Sequence, residues 1–168
     1  MKHLRPGTLL SILLLLWILP CYSFAQAEGD SVRCTRRIDR MIRMAKSYLG
    51  TPYVWAANGP DSFDCSGFVH YIYSFAGVDV KRNSKQLSET GTIVTLREIK
   101  KGDLVFFVSG IPPERDITHV GIAITDYDGK SFRFIHANSS AGCVSISEFS
   151  EPRFRNSYGG ARRLFPCD

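Results

Sequence analysis

The apolar residues of this chain change period once, and that change restricts its fold more than any other feature. Up to Gly77 they recur at helical spacing; beyond Gly102 they alternate or form short continuous runs. From Arg36 onward, Ile38, Met41, Ile42, Ala45 and Leu49 fall at i, i+3, i+4, i+7 and i+11, one face of a helix that Gly50 and Pro52 stop. Residues 51–63 are irregular and rich in Asn, Gly, Pro and Asp. They lead into Asp64-Cys65-Ser66-Gly67, after which Phe68, Val69, Tyr71, Ile72 and Phe75 repeat at helical spacing until Gly77. Asn83 to Thr90 has the character of one more short helix. Leu104 to Val108, Val120-Ile122-Ile124, Phe132 to His136, Val144-Ile146 and Gly160 to Phe165 read as strands, with turns such as Gly102-Asp103 and Asp128-Gly129 between them. Helices first and strands afterwards predict an α+β domain with an antiparallel sheet, not a doubly wound one.

The first 25 residues do not belong to that domain. Lys2 and Arg5 precede an apolar run from Leu9 to Leu19, broken only by Ser11; Pro20 ends it, and Ser23-Phe24-Ala25 places small residues where a signal peptidase reads. The expectation is a signal peptide, 1–25, and one mature domain, 26–168. The run is shorter than the roughly 20 residues that cross a bilayer, so no stable membrane span is expected in the mature chain. Cys21 raises the alternative of a lipoprotein, but Pro20 stands where a small residue is needed. Export to the periplasm or cell envelope follows.

Export permits disulfides. Four of the five cysteines would remain: Cys34, Cys65, Cys143 and Cys167. They allow three full pairings. Cys34 and Cys167 lie near the two ends of the domain, and chain ends often lie close together, so a bridge between them is one expectation; free, partly buried thiols are the other. Lys2 and Arg5 account for two of the +5 net charges, and the remaining +3 suits an anionic polymer but does not point to nucleic acid. Arg33, Arg36, Arg37, Arg40 and Arg43 are read as the solvated face of the first helix.

A cysteine at the first turn of a helix, with Asp64 as N-cap, faces unpaired N–H groups that favour thiolate and can later hold an oxyanion. Cys65 is therefore the candidate nucleophile. Of the four histidines, His3 leaves with the signal peptide. His70 follows Cys65 at i+5, about 140° around the helix axis. His119 and His136 remain, each at the end of a predicted strand, where two antiparallel neighbours can present both rings on one side. Nucleophile, base and orienting group are then Cys65, His119 and His136. The ordinary alternatives are a packed cysteine and hydrogen-bonded surface histidines. No CxxC, HxxxH or HExxH spacing occurs, so neither a metal site nor any cofactor is expected.

Thr51-Pro52-Tyr53-Val54-Trp55 followed by Asp61-Ser62-Phe63-Asp64-Cys65-Ser66-Gly67-Phe68-Val69 resembles the nucleophile motif of the NlpC-type cell-wall peptidases, which are papain-like cysteine peptidases. The resemblance continues through Arg82-Asn83-Ser84, Gln86, Gly102 to Phe107, Thr118-His119-Val120-Gly121-Ile122, Phe134 to Ala137 and Tyr158 to Arg163. It implies a papain-like fold, with Cys65 as nucleophile, His119 as base and His136 as third residue. It also implies that Tyr53 lines the site, that Asp64 and Ser66 shape a substrate pocket, and that Arg82 meets a substrate carboxylate. Where the family often has a Gly-Gly pair, this chain has Ala56-Ala57, whose methyls would narrow the cleft. The loop from Ile111 to Asp116 is long enough to form a cleft wall, and Cys143 follows His136 closely enough to lie near the site.

The function so implied is hydrolysis of amide bonds in peptidoglycan stem peptides or cross-links, by a monomer whose partners are peptidoglycan peptides. A catalytically silent wall-binding or scaffold protein of the same fold, and an acyl or amide transferase, are the alternatives. The short format resembles the small murein endopeptidases, but both the γ-D-Glu–diamino acid bond and the D,D cross-link remain candidates.

Overall fold

A computed structural model describes residue 29, residues 31–165 and residue 167. The expected signal peptide, 1–25, and Cys21 lie outside the described residues. The described residues fall into two units, the smaller containing residues 31–36 with Cys167 and the larger residues 37–165. In the smaller unit residues 31–36 are helical, and Cys34 is disulfide-bonded to Cys167 with their Cα atoms 5.6 Å apart.

In the larger unit helix α1 covers 37–47 and buries Met41, Ile42 and Ala45. Leu49, expected on the same face, is about half exposed: the helix has already opened into a turn at 48–50, which removes Leu49 from the ladder. Helix α2 (Cys65–Phe75) begins as expected, with the Asp64 carboxylate accepting from Gly67 N at 2.7 Å. It buries Phe68, Val69 and Ile72. Phe75 is half exposed instead, and Tyr73 is fully buried in the core, its hydroxyl donating to Gly102 O at 2.5 Å. A buried tyrosine with a carbonyl partner loses nothing by its polar tip. Helix α3 is shorter than expected, Ser84–Leu87, capped by Asn83.

Six strands follow: β1 (Thr92–Val94), β2 (Leu104–Ser109), β3 (Asp116–Ala123), β4 (Arg133–Asn138), β5 (Cys143–Glu148) and β6 (Tyr158–Arg163). They form one antiparallel sheet in the order β1-β6-β2-β3-β4-β5. Helix α2 packs against β3 and β4. Val105, Phe107, Phe132, Phe134 and Phe149 belong to one buried cluster, which Phe154 of helix α4 (Pro152–Ser157) joins. Neither β1 nor α4 carries a periodic apolar signal long enough to read in sequence. Proline at the first turn of α4 needs no N–H there.

The β5 edge of the sheet is closed by main chain rather than by a strand. Residues 51–53 lie along β5: Tyr53 N donates to Gly142 O at 2.8 Å and Val144 N to Thr51 O at 2.8 Å. That pairing brings the Tyr53 segment beside the helix start.

Candidate active site

Two glycines in the motifs permit the close approaches on which the site depends. A Cβ at Gly67 would lie 2.1 Å from Ala57 O, so only glycine lets the 51–63 segment touch the first turn of α2. A Cβ at Gly121 would come within 2.8 Å of the Phe134 ring and 3.2 Å of His136 Cβ. The β3–β4 register, Ile122↔Ile135 and Ala123↔Phe134, continues to place Gly121 opposite His136. His119, two residues before Gly121, is therefore the diagonal neighbour of His136 on one face.

The structure joins those two rings directly. His119 Nε2 and His136 Nδ1 are 2.6 Å apart, and His136 Nε2 lies 3.0 Å from Ser147 Oγ on β5. His136 and Ser147 are buried, and Phe134 and Phe154 pack on the His136 ring. The three polar side chains cross β3, β4 and β5 as one hydrogen-bonded line. With His119 Nε2 engaged, Nδ1 is the nitrogen left for a proton from elsewhere. A free Nδ1 lone pair requires Nε2–H on His119. It then donates to His136 Nδ1, and His136 Nε2–H donates to Ser147 Oγ. Ser147 went unrecognised in the sequence; its place two residues from the partner of His136 in the register is visible only once the strands are paired.

Cys65 is buried at the first turn of α2, and its thiol donates to Thr118 O at 3.9 Å. The sulfur also faces the N–H groups of Ser66, Val120 and Cys65 itself. It thus rests against the backbone on either side of His119, without a hydrogen bond to that ring. The helix-start N–H groups do pull the thiol toward ionisation, as expected. Burial and, next, the Asp64 carboxylate outweigh them, so the thiol is pushed up rather than down. Burial pushes His119 down to about 4. His136 is also pushed down, by burial first, then by His119 and Arg153. Burial thus holds the thiol and both imidazoles toward their neutral forms, against the pull toward thiolate expected from the helix start.

Asp64, Ser66 and Arg82 meet in one cluster. Arg82 donates to both Asp64 oxygens at 2.9 and 2.8 Å, to Ser66 Oγ at 2.7 Å, to Ala57 O at 3.0 Å and to Asn58 Oδ1. All five of its N–H donors are spent inside the protein. The guanidinium expected to meet a substrate carboxylate instead fastens the 56–58 turn to the start of α2. A cleft of about 420 Å³ opens beside the cluster and Cys65, rimmed by Trp55, Ala56, Ser84 and Thr118. Tyr53 lies close enough to Cys65 and Asp64 for their charges, after burial, to push its hydroxyl up. Ala56 has a left-handed backbone, φ 63°. None of residues 111–116 rims this cleft, where a loop wall is expected; residues 110–115 close the β2–β3 hairpin and Asp116 opens β3. Cys143 is a free, half-buried thiol on β5 bridged to Pro52. Among the described residues no three His, Cys, Asp or Glu side chains converge in a way that could hold a metal ion.

The profile of the NlpC/P60 family matches residues 50–163, which contain α2, the whole sheet and every site residue above. The chain belongs to the NlpC/P60 family. A relative from Bacillus cereus, named gamma-D-glutamyl-L-lysine dipeptidyl-peptidase, is 35% identical over 144 residues, 86% of this chain and 41% of that protein. The chain therefore spans less than half the length of that relative. The crystal structure of an NlpC/P60 family protein from Bacillus cereus is similar at a TM-score of 0.69 and 36% identity, covering 77% of this chain and 40% of the other. The peptidoglycan hydrolase RipB of Mycobacterium tuberculosis is similar at a TM-score of 0.63 and 27% identity, covering 80% of this chain and 67% of that one. These likenesses agree with the papain-like α+β architecture expected from the sequence.

Proposed function

We propose that the protein is an exported cysteine peptidase that hydrolyses amide bonds in peptidoglycan peptides, with Cys65, His119 and His136 as its triad. The observation that carries this reading is the 2.6 Å contact of His119 Nε2 with His136 Nδ1, which leaves one imidazole nitrogen for the thiol beside it. Substrate binding turns the S–H from Thr118 O toward His119 Nδ1. His119 takes the proton as sulfur attacks the carbonyl carbon, giving a tetrahedral oxyanion near the N–H groups of the α2 start and the Tyr53 hydroxyl. The imidazolium passes its proton to the leaving amine, the C–N bond breaks and a thioester remains. Water, losing a proton to His119, attacks the thioester; the acid leaves and the proton returns to sulfur.

The acyl half of the substrate lies in the 420 Å³ cleft, where Ser66 and the Asp64–Arg82 pair set its shape and Tyr53 closes the site near Cys65. The relatives support the substrate class, one being named for a γ-D-glutamyl-L-lysine bond and another as a peptidoglycan hydrolase. The mature protein should digest defined muropeptides, C65A should not, and mass spectrometry should catch an acyl-enzyme on Cys65. Equal digestion by C65A would sink the mechanism; amide products with an added amine would mark a transferase.

A further inference from the structure

Across Thr118 from the Cys65 cleft lies a second hollow, of about 210 Å³. His119 and His136 line it, together with Ser139, Ser140, Arg153 and Ser157. Thr118 borders both hollows, so the scissile bond of a bound substrate has one on either side. The base must deliver its proton to the departing nitrogen. The amine half of the substrate therefore lies on the His119 side, over this second hollow. That direction rests on the catalytic reading given above.

The hollow is built to receive an anion. Arg153 is its one charged lining residue. Glu151 holds only the Nε edge, at 3.1 Å, and the guanidinium carbon sits 4.4 Å above the Phe154 ring. The terminal nitrogens of Arg153 have no hydrogen-bond partner among the described residues. Ser139 and Ser140 add two exposed hydroxyls whose oxygens are likewise uncommitted, whereas the Ser157 hydroxyl is spent on its own helix. Asn138 is tied to the Ser140 and Ala141 N–H groups and to Ser145, which fixes the turn carrying both serines. Arg153, Ser139 and Ser140 thus bring uncommitted donors to a pocket whose lining contains no carboxylate.

We infer that this pocket is the leaving-group subsite, and that Arg153 with Ser139 and Ser140 binds a carboxylate carried by the amino acid whose amine departs. A planar carboxylate suits two guanidinium N–H groups, and such charge-assisted pairs discriminate by about tenfold or more. The enzyme would then prefer stem peptides whose leaving residue keeps a free carboxylate close to the scissile nitrogen.

The test uses two stem peptides with one acyl half and one scissile bond, the leaving residue ending in a free carboxylate in one and a primary amide in its twin. The full mature protein should cleave the acid about tenfold faster by kcat/KM. In R153Q the ratio should fall to about 1–2, and R153K should retain part of it. A purely structural or electrostatic role of Arg153 would lower both rates and leave the ratio alone. A ratio near one in the wild type, or an unchanged ratio in R153Q, overturns the proposal while the triad stands. Cleavage of neither twin, or cleavage of both by C65A, overturns the catalytic reading and this subsite with it.

Discussion

Ser147 offers the sharpest test of the hydrogen-bonded line. Its Oγ lies 3.0 Å from His136 Nε2, with His136 only 1% exposed and Ser147 6%. In S147A a buried N–H would lose its acceptor, at a cost of about 1–3 kcal/mol. His136 lowers that cost by moving its proton to Nδ1, which then donates to His119 Nε2 and leaves an unpaired lone pair on Nε2, a smaller loss than an unpaired N–H. His119 must in turn carry its own proton on Nδ1, the nitrogen meant to receive one from sulfur. The base-competent tautomer pair therefore loses part of that, about 1–2 kcal/mol, relative to the incompetent one, so kcat should fall about 5- to 30-fold. KM should change little, because Ser147 touches no substrate cleft. Muropeptide kinetics would read the rate, and nitrogen-15 NMR of the imidazoles would read the tautomers. Ser147→Thr keeps the oxygen and should recover most of the rate, which a packing defect would not. Unchanged kcat in S147A, or a slow S147A enzyme whose His136 still carries its proton on Nε2, would refute the reasoning.

His119 acts as a base only when neutral, and its depressed pKa of about 4 keeps it neutral to lower pH. The acid limb of kcat/KM should thus lie well below the ordinary histidine value of about 6.5, and a limb centred at or above it would contradict the burial argument. The unfolded chain takes up protons on both histidines below about pH 6.5 while the folded chain resists them, so stability should decline from pH 7 to pH 5; a wild-type Tm equal at the two would count against it. Ala56 occupies a left-handed conformation that costs an L-residue about 1–2 kcal/mol, partly offset by the flexibility glycine adds to the unfolded chain. Ala56→Gly should stabilise by about 0.5–1 kcal/mol in urea unfolding, and a loss of stability would show that the methyl packs usefully at the cleft rim.

The sequence made the nucleophile helix legible because cap, cysteine and glycine are contiguous and the apolar residues repeat behind them. Strands β2 to β6 were legible for the same local reason. What escaped was whatever depends on pairing between distant segments. Ser147 reaches His136 only through the register of β5 on β4, and Tyr73 rather than Phe75 is buried, its hydroxyl on the carbonyl of Gly102. Arg82 is legible as a loop arginine near a cleft, but the five acceptors around it come from segments the sequence does not bring together. Thiol ionisation is hard to read for a related reason. A helix start favours thiolate in isolation, but burial and a carboxylate one residue away oppose it, and composition does not rank these effects.

These charges have a common consequence for the proposed chemistry. Asp64 and Arg82 cancel one another beside the acyl cleft, and burial holds the thiol and both imidazoles toward their neutral forms between them and Arg153. Once His119 takes the thiol proton, an easily protonated neighbour would draw that proton away from the departing amine. His136 resists it, because burial, the adjacent His119 and the Arg153 cation all oppose a positive charge there. The proton is therefore retained on His119, at the boundary the leaving nitrogen crosses. An acidic residue in place of His136 would stabilise the imidazolium more strongly and favour a standing thiolate–imidazolium pair. A neutral third residue, held by a serine, instead couples ionisation of the buried sulfur to the arrival of a carbonyl that can accept it.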